Sequence, residues 1–241
     1  MNLHNIYSQK FFEGLEEISL SQHQELQGSW QHGVGLQEQN SWFYSLKILK
    51  IENCEIQPCA IPSNILPCLR SLKELHVQAC NNVEVIFEMN VEEGTGTTFN
   101  LEILTLQKLP KLKDVWERNG KGTESFQNLK LVNVSECRNL QSVFPLTLAK
   151  NLKKLAELQI TRCHVLQEIV RKEEDTTTVF AFPCLTTLHL GGLPELIYFY
   201  PQSFTLECST LNSLFVGNCQ ELELFGSAYR QLIFLDLKVI K

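Results

Sequence analysis

The sequence has too few basic residues to suggest a nucleic-acid-binding protein. Its 241 residues include 21 Lys and Arg against 27 Asp and Glu, which gives a formal net charge of −6. Proteins that bind a phosphate backbone usually present a basic stripe. The densest basic cluster here, formed by Lys150, Lys153 and Lys154, has the spacing of a solvated face. We therefore predict that the protein has no nucleic-acid partner.

The chain also lacks the apolar segments that direct proteins to membranes. No uncharged stretch approaches the roughly 18 apolar residues that a membrane-spanning helix needs. Residues 1–12 do not combine a basic segment with an apolar one, as a secretory signal would. Both absences predict a protein of the cytoplasm or the nucleus with no membrane span.

Motifs for catalysis, metal binding and cofactor binding are missing as well. Gly33 and Gly35 form the nearest approach to a glycine-rich loop, but no lysine follows them as a phosphate loop requires. Cys54 and Cys59 are the nearest cysteine pair to a zinc motif, and no second pair completes it. The sequence therefore predicts a non-enzymatic protein with no catalytic residues, no metal site and no cofactor.

What the sequence does contain is a repeated pattern, Leu-x-x-Leu-x-(Leu/Ile/Val). The mean interval between repeats is about 27 residues, within the range of leucine-rich repeats. Nine repeats begin at Leu15, Leu46, Leu72, Leu101, Leu129, Leu155, Leu185, Leu211 and Leu232. The polar segments between repeats do not divide the chain, so we predict one leucine-rich-repeat domain over residues 1–241 without a nucleotide-binding domain.

The second and third apolar positions of each repeat lie two residues apart, so both face the same side of a strand. The second positions are Ile18, Leu49, Leu75, Leu104, Val132, Leu158, Leu188, Leu214 and Leu235. The third positions are Leu20, Ile51, Val77, Leu106, Val134, Ile160, Leu190, Val216 and Leu237. Because all eighteen are apolar, we predict that they line the interior of a solenoid.

A further small apolar position follows the third column by three residues. It is cysteine in five repeats, and free cysteine behaves as a small buried hydrophobe. These cysteines are Cys54, Cys80, Cys137, Cys163 and Cys219. The pattern predicts an α/β repeat solenoid, a leucine-rich-repeat horseshoe with a parallel β-sheet on its concave face. The convex side is expected to be irregular or to form short helices.

The strand residues that flank the interior columns should face outward on the concave face. These outward residues are varied and mostly polar, so they are free to bind a protein partner. The predicted partner-binding residues are Lys50, Glu52, His76, Gln78, Thr105, Gln107, Asn133, Ser135, Gln159, Thr161, His189, Phe215 and Asp236. Phe215 lies beside Gly191 and Gly217, where an exposed ring next to bare backbone would form a small apolar hollow.

Residues 126–175 closely resemble the C-terminal repeats of plant disease-resistance proteins of the coiled-coil nucleotide-binding leucine-rich-repeat class. Those repeats alternate a cysteine type with a Leu-Pro type, which appears here at Leu109-Pro110 and Leu193-Pro194. The resemblance implies the protein-recognition module of an intracellular immune receptor. Such a module senses pathogen effectors or modified host proteins and restrains the receptor's switch, and its repeats also contact the receptor's own nucleotide-binding domain.

The resemblance also implies that ATP or ADP is bound only by a nucleotide-binding domain, which this sequence lacks. We therefore expect the chain to be a fragment or a truncated form. The alternatives are a stand-alone leucine-rich-repeat scaffold and an F-box-type substrate adaptor in ubiquitination. An adaptor's cysteine repeats typically continue into an Ile-Thr-Asp-like segment, and that segment does not occur here.

Overall fold

The computed structural model describes residues 14–22, 41–89, 98–117, 126–171, 180–199, 206–207, 210–222 and 238–240. Within these ranges the chain is built mainly from short strands. In chain order they are β1 (Glu17–Ser21), β2 (Ile48–Glu52), β3 (Cys59–Ile61), β4 (Glu74–Gln78), β5 (Val85–Phe87), β6 (Ile103–Gln107), β7 (Asp114–Trp116), β8 (Leu131–Ser135), β9 (Ser142–Pro145), β10 (Glu157–Thr161), β11 (Glu168–Arg171), β12 (Phe180–Ala181), β13 (Thr187–Gly191), β14 (Leu206–Glu207), β15 (Ser213–Gly217) and β16 (Lys238–Ile240).

The largest sheet of the described residues has nine parallel strands, in the order β1-β2-β4-β6-β8-β10-β13-β15-β16. From β1 to β15, each strand pairs with the next without any shift between equivalent positions of the repeat. Leu158, for example, lies opposite Val132 on one side and Leu188 on the other. The sheet is therefore the parallel sheet of a leucine-rich-repeat solenoid, as the spacing of the repeats predicted.

The alternation of side chains along each strand separates the core from the open face. In the strands of the main sheet from β4 to β13, the five residues of each strand alternate between half-buried and fully buried. The second and third columns supply the buried positions, and Leu75, Leu104 and Ile160 are each 0% exposed. Burial of these aliphatic side chains is the main stabilising contribution that each repeat receives from its neighbours.

The ninth repeat departs from the predicted register. Strand β16 places Val239 opposite Leu214 and Ile240 opposite Phe215. The spacing from Leu232 had predicted Leu235 and Asp236 at these two positions, four residues earlier. Residues 223–237, which include Asp236, lie outside the described residues. The prediction for this strand was wrong because Val239 and Leu235 both satisfy an apolar column, and only strand pairing distinguishes them.

A turn of constant geometry follows each strand of the main sheet from β1 to β15. The residue after the strand has a positive φ, in the left-handed region that costs a side chain some strain. Besides glycine, six residue types occupy this position. The residues with this conformation are Gln22, Asn53, Ala79, Lys108, Glu136, Arg162, Gly192 and Asn218. Because the amide of each of these residues up to Gly192 donates to a carbonyl of the next strand, the sheet's hydrogen bonding sets this conformation.

The cysteine column begins directly after this turn, where the chain enters the core. Cys80, Cys137 and Cys163 are 0% exposed and Cys54 is 2% exposed, so burial of these four is confirmed. Each of the five column thiols donates a weak hydrogen bond to the carbonyl two residues before it, at 3.3–3.5 Å. Cysteine thus fills a small apolar space and adds a weak hydrogen bond to a carbonyl at the strand's end that already accepts an amide of the preceding repeat.

The far side of the solenoid combines short helices with short strands. Two 3₁₀ helices (Ser41–Ser45 and Leu66–Leu69) and one α-helix, α1 (Leu146–Ala149), occur there among the described residues. The prediction of short helices is thus confirmed, but it missed three small parallel sheets. These are β3-β5-β7, β9-β11 and β12-β14.

Aromatic side chains connect the repeats inside the far side of the core. Trp116 stacks on Phe87 with ring centroids 5.9 Å apart and packs against Phe144 at 5.4 Å. Phe182 lies 6.5 Å from Phe144 and 6.2 Å from Phe199. These rings are nearly completely buried. Since each ring packs against those of neighbouring repeats, they hold the solenoid's coils in a fixed stack.

Candidate recognition surface on the open sheet face

The open face of the main sheet carries three rows of side chains that run across the repeats. We name them the amino row, the middle row and the carboxyl row, after the first, third and fifth residue of each strand. The middle row contains Ser19, Lys50, His76, Thr105, Asn133, Gln159, His189 and Phe215. The carboxyl row contains Ser21, Glu52, Gln78, Gln107, Ser135, Thr161, Gly191 and Gly217.

Twelve of the thirteen predicted partner-binding residues therefore lie together in two neighbouring rows, and the thirteenth, Asp236, lies outside the described residues. Equivalent positions on adjacent parallel strands are about 4.8 Å apart. The strands thus present these side chains as a continuous lattice. His76 and His189 are four strands apart in the middle row, so the two rings do not meet.

The amino row was missed by the sequence prediction, although it is equally part of the open face. It contains Glu17, Ile48, Glu74, Ile103, Leu131, Glu157, Thr187 and Ser213. Ile103 and Leu131 lie opposite each other and are both half-buried. The sequence feature that indicates this row is the second variable residue of Leu-x-x-Leu. This residue faces outward because it directly precedes an inward residue. This row adds an apolar strip to a surface predicted to be mainly polar.

Several charged side chains of the first six repeats have side-chain partners on the same strand or on the neighbouring one. The Nζ of Lys50 lies 2.6 Å from the Oε1 of Glu17 on the neighbouring strand, and this carboxylate raises the pKa of Lys50. Within one strand, the Nε2 of His76 lies 3.3 Å from the Oε2 of Glu74. Gln159 donates a hydrogen bond to Glu157 in the same way. Lys50 and Glu17 thus form an ion pair between neighbouring strands, whereas Glu157 accepts a hydrogen bond from the uncharged amide of Gln159.

The same pairing continues along the edges of the open face. At the edge where the strands begin, Lys47 pairs with Glu16, and the Nζ of Lys130 lies 2.6 Å from the Oε2 of Glu102. The hydrogen bond from Lys130 lowers the pKa of Glu102. All of these groups are partly exposed, so each pair contributes little stability. Their effect is to fix the positions of charges that a partner would meet.

Repeats seven and eight present a different surface. The rings of His189 and Phe215 meet edge to face, with centroids 4.3 Å apart and planes at 63°. Gly191 and Gly217 lie beside them in the carboxyl row. An ideal Cβ on Gly217 would lie 3.2 Å from two atoms of the Phe215 ring. The ring therefore lies over the glycine, close to the plane of the sheet.

Two of the thiols are held in their protonated form. Burial raises the pKa of Cys80 to about 11 and that of Cys59 to about 12. The thiolate is the form that attacks electrophiles and binds metals, and at neutral pH these thiols are protonated. In the described part of the chain, no three His, Cys, Asp or Glu side chains are grouped so as to hold a metal ion.

These features together define a leucine-rich-repeat interaction domain, with an apolar core and a lattice of varied side chains on the open sheet face. The family model described as "Plant disease resistance protein RPS2-like, leucine-rich repeats" matches residues 14–164. The chain belongs to this family of plant resistance-protein repeats. Among the described residues, the helices are all too short or too polar to cross a bilayer.

Two curated relatives are also named as disease resistance proteins. Disease resistance protein RGA2 of Solanum bulbocastanum is 29% identical over 151 residues, which cover 52% of this chain and 15% of that protein. The "Probable disease resistance protein At4g27220" of Arabidopsis thaliana is 33% identical over 128 residues, covering 52% of this chain and 14% of that protein. The match thus spans about one-seventh of the length of each relative.

A solved structure supports the fold independently. The leucine-rich repeat domain of the type III effector XopL superposes with a TM-score of 0.57 at 20% sequence identity. The match covers 94% of this chain and 68% of that domain. At this identity the similarity establishes a shared architecture, which is the leucine-rich-repeat solenoid.

Proposed function

We propose that this chain is the non-enzymatic protein-recognition module of a plant intracellular immune receptor. Its partner would be a pathogen effector or a modified host protein, bound on the open sheet face. The module would act in the cytoplasm or the nucleus, without a cofactor of its own. It would also restrain the receptor's switch through contact with the nucleotide-binding domain, which binds ATP or ADP.

The observation that carries this proposal is the separation of two sets of residues on each strand. Inward residues such as Leu104 and Ile160 are completely buried and conform to the repeat. Outward neighbours such as Thr105 and Gln159 differ from one repeat to the next and do not pack in the core. A surface whose side chains are not required for folding is available for binding, and a solenoid presents it over several repeats.

Family membership supports the immune role, since both relatives are named as disease resistance proteins. A catalytic role has no support in the described residues. Cys80 and Cys59, with pKa values of about 11 and 12, are protonated at neutral pH. The histidines of the open face lie on strands too far apart to share a substrate atom.

The proposal can be tested in a resistance receptor that contains this repeat segment. Simultaneous replacement of Lys50, Gln107 and Gln159 with Ala should abolish or deregulate the elicitor-dependent cell-death response in leaves. Protein abundance should stay unchanged, because outward strand substitutions alter stability by only about 0.5 kcal/mol. The matched control replaces Glu84 and Lys113, which form a 2.6 Å ion pair on the far side.

A receptor that responds normally with the open-face triple substitution, and loses its response with the far-side control, would contradict the proposed surface. Loss of response together with loss of protein would indicate a folding defect, so abundance is measured by immunoblot in the same tissue. A stably expressed receptor that no elicitor or effector activates, with or without the substitutions, would contradict the immune role itself.

A further inference from the structure

The backbone of Gly191 forms the floor of a small hollow on the open face. An ideal Cβ built on Gly191 would lie 3.5 Å from the Cγ2 of Thr161, 3.6 Å from the Nε2 of His189 and 3.8 Å from the Cε1 of Phe215. All three distances are ordinary van der Waals contacts. The three side chains therefore surround the space that a Cβ at position 191 would fill, and glycine leaves this space open.

The walls of this hollow are fixed by their own contacts. The Phe215 ring meets the His189 ring at 63°, and it also lies over Gly217, where a Cβ would be 3.2 Å from two ring atoms and would displace the ring slightly. Glycine at position 217 thus lets the ring keep this position. Thr161 lies opposite Gly191 in the register of the two strands, so the sheet fixes its position beside Gly191.

The six outward positions of β13 and β15 hold no Asp, Glu, Lys or Arg, although Arg162, which pairs with Glu136, follows Thr161 in the turn beside the hollow. The six outward positions of β13 and β15 are Thr187, His189, Gly191, Ser213, Phe215 and Gly217. In the first six repeats, by contrast, an apolar group from a partner would desolvate charges such as Lys50 or Glu102. Burying a charge without a new partner is costly. An apolar partner side chain therefore docks most favourably over β13 and β15.

We propose that this hollow binds a branched aliphatic side chain (Leu, Ile or Val) from an uncharged segment of the partner protein. One methyl group would enter above Gly191, and the rest of the side chain would pack on the Phe215 ring. This inference rests on the proposed function, because it assigns one anchoring contact within the open-face binding surface. Phe215 and Gly191 then determine which partner segment is accepted.

The test uses a random peptide library displayed on phage, selected on the complete chain. The expected peptides share one Leu, Ile or Val flanked by uncharged residues. Gly191→Ala fills the hollow with a methyl group that the geometry tolerates, and it should weaken these peptides at least about tenfold. Phe215→Ala, which removes a wall, should weaken them as much, whereas Phe215→Tyr should retain binding. Replacing the peptide's aliphatic residue with Ala should cause a similar loss.

Two controls separate this inference from the proposed function. Lys113→Ala lies on the far side of the solenoid, outside both the hollow and the open face, and should leave the selected peptides unaffected. Peptides that bind Gly191→Ala as tightly as wild type, or that require a charged residue, overturn the hollow. If they instead depend on Gln107 or Lys50, open-face recognition still stands. Selected peptides that are insensitive to every open-face substitution contradict both proposals, and a selection without any Gly191-dependent binder overturns the hollow.

Discussion

The open face of the sheet differs between its first six repeats and repeats seven and eight. In the first region, charged residues form pairs such as Lys50 with Glu17 and Lys130 with Glu102. In the second region, the outward positions combine two glycines with the rings of His189 and Phe215. Yet both regions share the same strand register. The scaffold therefore does not depend on the chemistry of its outward rows, and one sheet can offer two kinds of binding surface.

Core coverage differs between repeat eight and the inner repeats. Cys80, Val77 and Leu75 in repeat three are completely buried. In repeat eight, Val216 and Cys219 are only partly buried. Burial in a solenoid comes from neighbours on both sides, so local stability follows the quality of each interface. We expect repeat eight to contribute less stability than the inner repeats.

The largest effect is expected for the inward residues of the inner repeats. Leu158→Ala in β10 leaves a cavity at a completely buried site, and should lower the free energy of unfolding by about 2–5 kcal/mol. Leu214→Ala in repeat eight, where the residue is 6% exposed, should have a smaller effect. Urea unfolding followed by circular dichroism measures both. The neighbouring Gln159→Ala is the control and should change stability by no more than about 0.5 kcal/mol.

The next effect concerns the buried thiols and alkaline pH. Burial raises the pKa of Cys80 to about 11, so the folded state holds this proton more tightly than the unfolded state. The stabilisation of the folded state by this thiol is complete below the unfolded-state pKa of about 8.5 and is lost as the pH rises toward 11. Stability should fall by up to about 1.4 kcal/mol per pH unit for this thiol. Urea titrations between these pH values should show a shallower slope for Cys80→Ala.

The exposed Cys184 provides the matched control, and Cys184→Ala should leave the slope unchanged. Labelling of thiols also compares the core of repeat eight with that of repeat three. Cys219 is only partly buried, so a thiol-alkylating reagent should label it before Cys80 in the native protein. Mass spectrometry of the labelled peptides follows the order. Labelling of Cys80 before Cys219 would contradict the difference in core coverage.

A smaller effect distinguishes the two glycines beside Phe215. Gly191→Ala makes only ordinary contacts and should stabilise the protein by roughly 0.4–1 kcal/mol, because Ala restricts the unfolded chain. Gly217→Ala places a methyl group 3.2 Å from the Phe215 ring, and moving the ring off its rotamer costs about 0.5–1.5 kcal/mol. The melting temperature of Gly191→Ala should therefore be higher than that of Gly217→Ala. The reverse order would show that the ring does not lie over Gly217.

The smallest effect is expected for the charged pairs of the first region. Lys130→Ala should cost no more than about 1 kcal/mol, since Lys130 and Glu102 are both partly exposed. The pair lowers the pKa of Glu102. Its contribution is therefore present above the unfolded pKa of about 4.3 and lost as the pH falls through the folded pKa. Denaturant titrations at low and high salt should show the loss only at low salt, with Glu102→Gln as the control.

Much of the scaffold followed from the apolar columns. The register from β1 to β15 was predictable because two apolar residues at a spacing of two must share the buried side of a strand. The same reasoning failed at β16, because both Leu235 and Val239 are suitable for the second apolar position of the repeat. Only the pairing with Leu214 shows that Val239 occupies it. The left-handed turns were not predictable either. Residues as unlike as Lys108 and Ala79 adopt them, because backbone hydrogen bonds impose the conformation.

The candidate surface was predicted in part, for a similar reason. Outward positions such as Gln107 and Asn133 followed from alternation along the strand. The amino row, with Ile103 and Leu131, was overlooked although the same alternation applies to it. The cross-strand pair of Lys50 with Glu17 depends on which strands are neighbours and on side-chain conformation. Contacts of this kind require the assembled sheet.

The central claim is that the open face of the sheet is the surface that binds the partner protein. Site-specific photo-crosslinking tests it most directly, with a photoreactive amino acid placed at Thr105, at Gln159 or at Lys111 in a receptor containing these repeats. After elicitation in leaves, the account predicts a crosslinked partner from Thr105 and Gln159, which face the open side. Lys111 lies outside the open face, so a crosslink from this position alone would contradict the account.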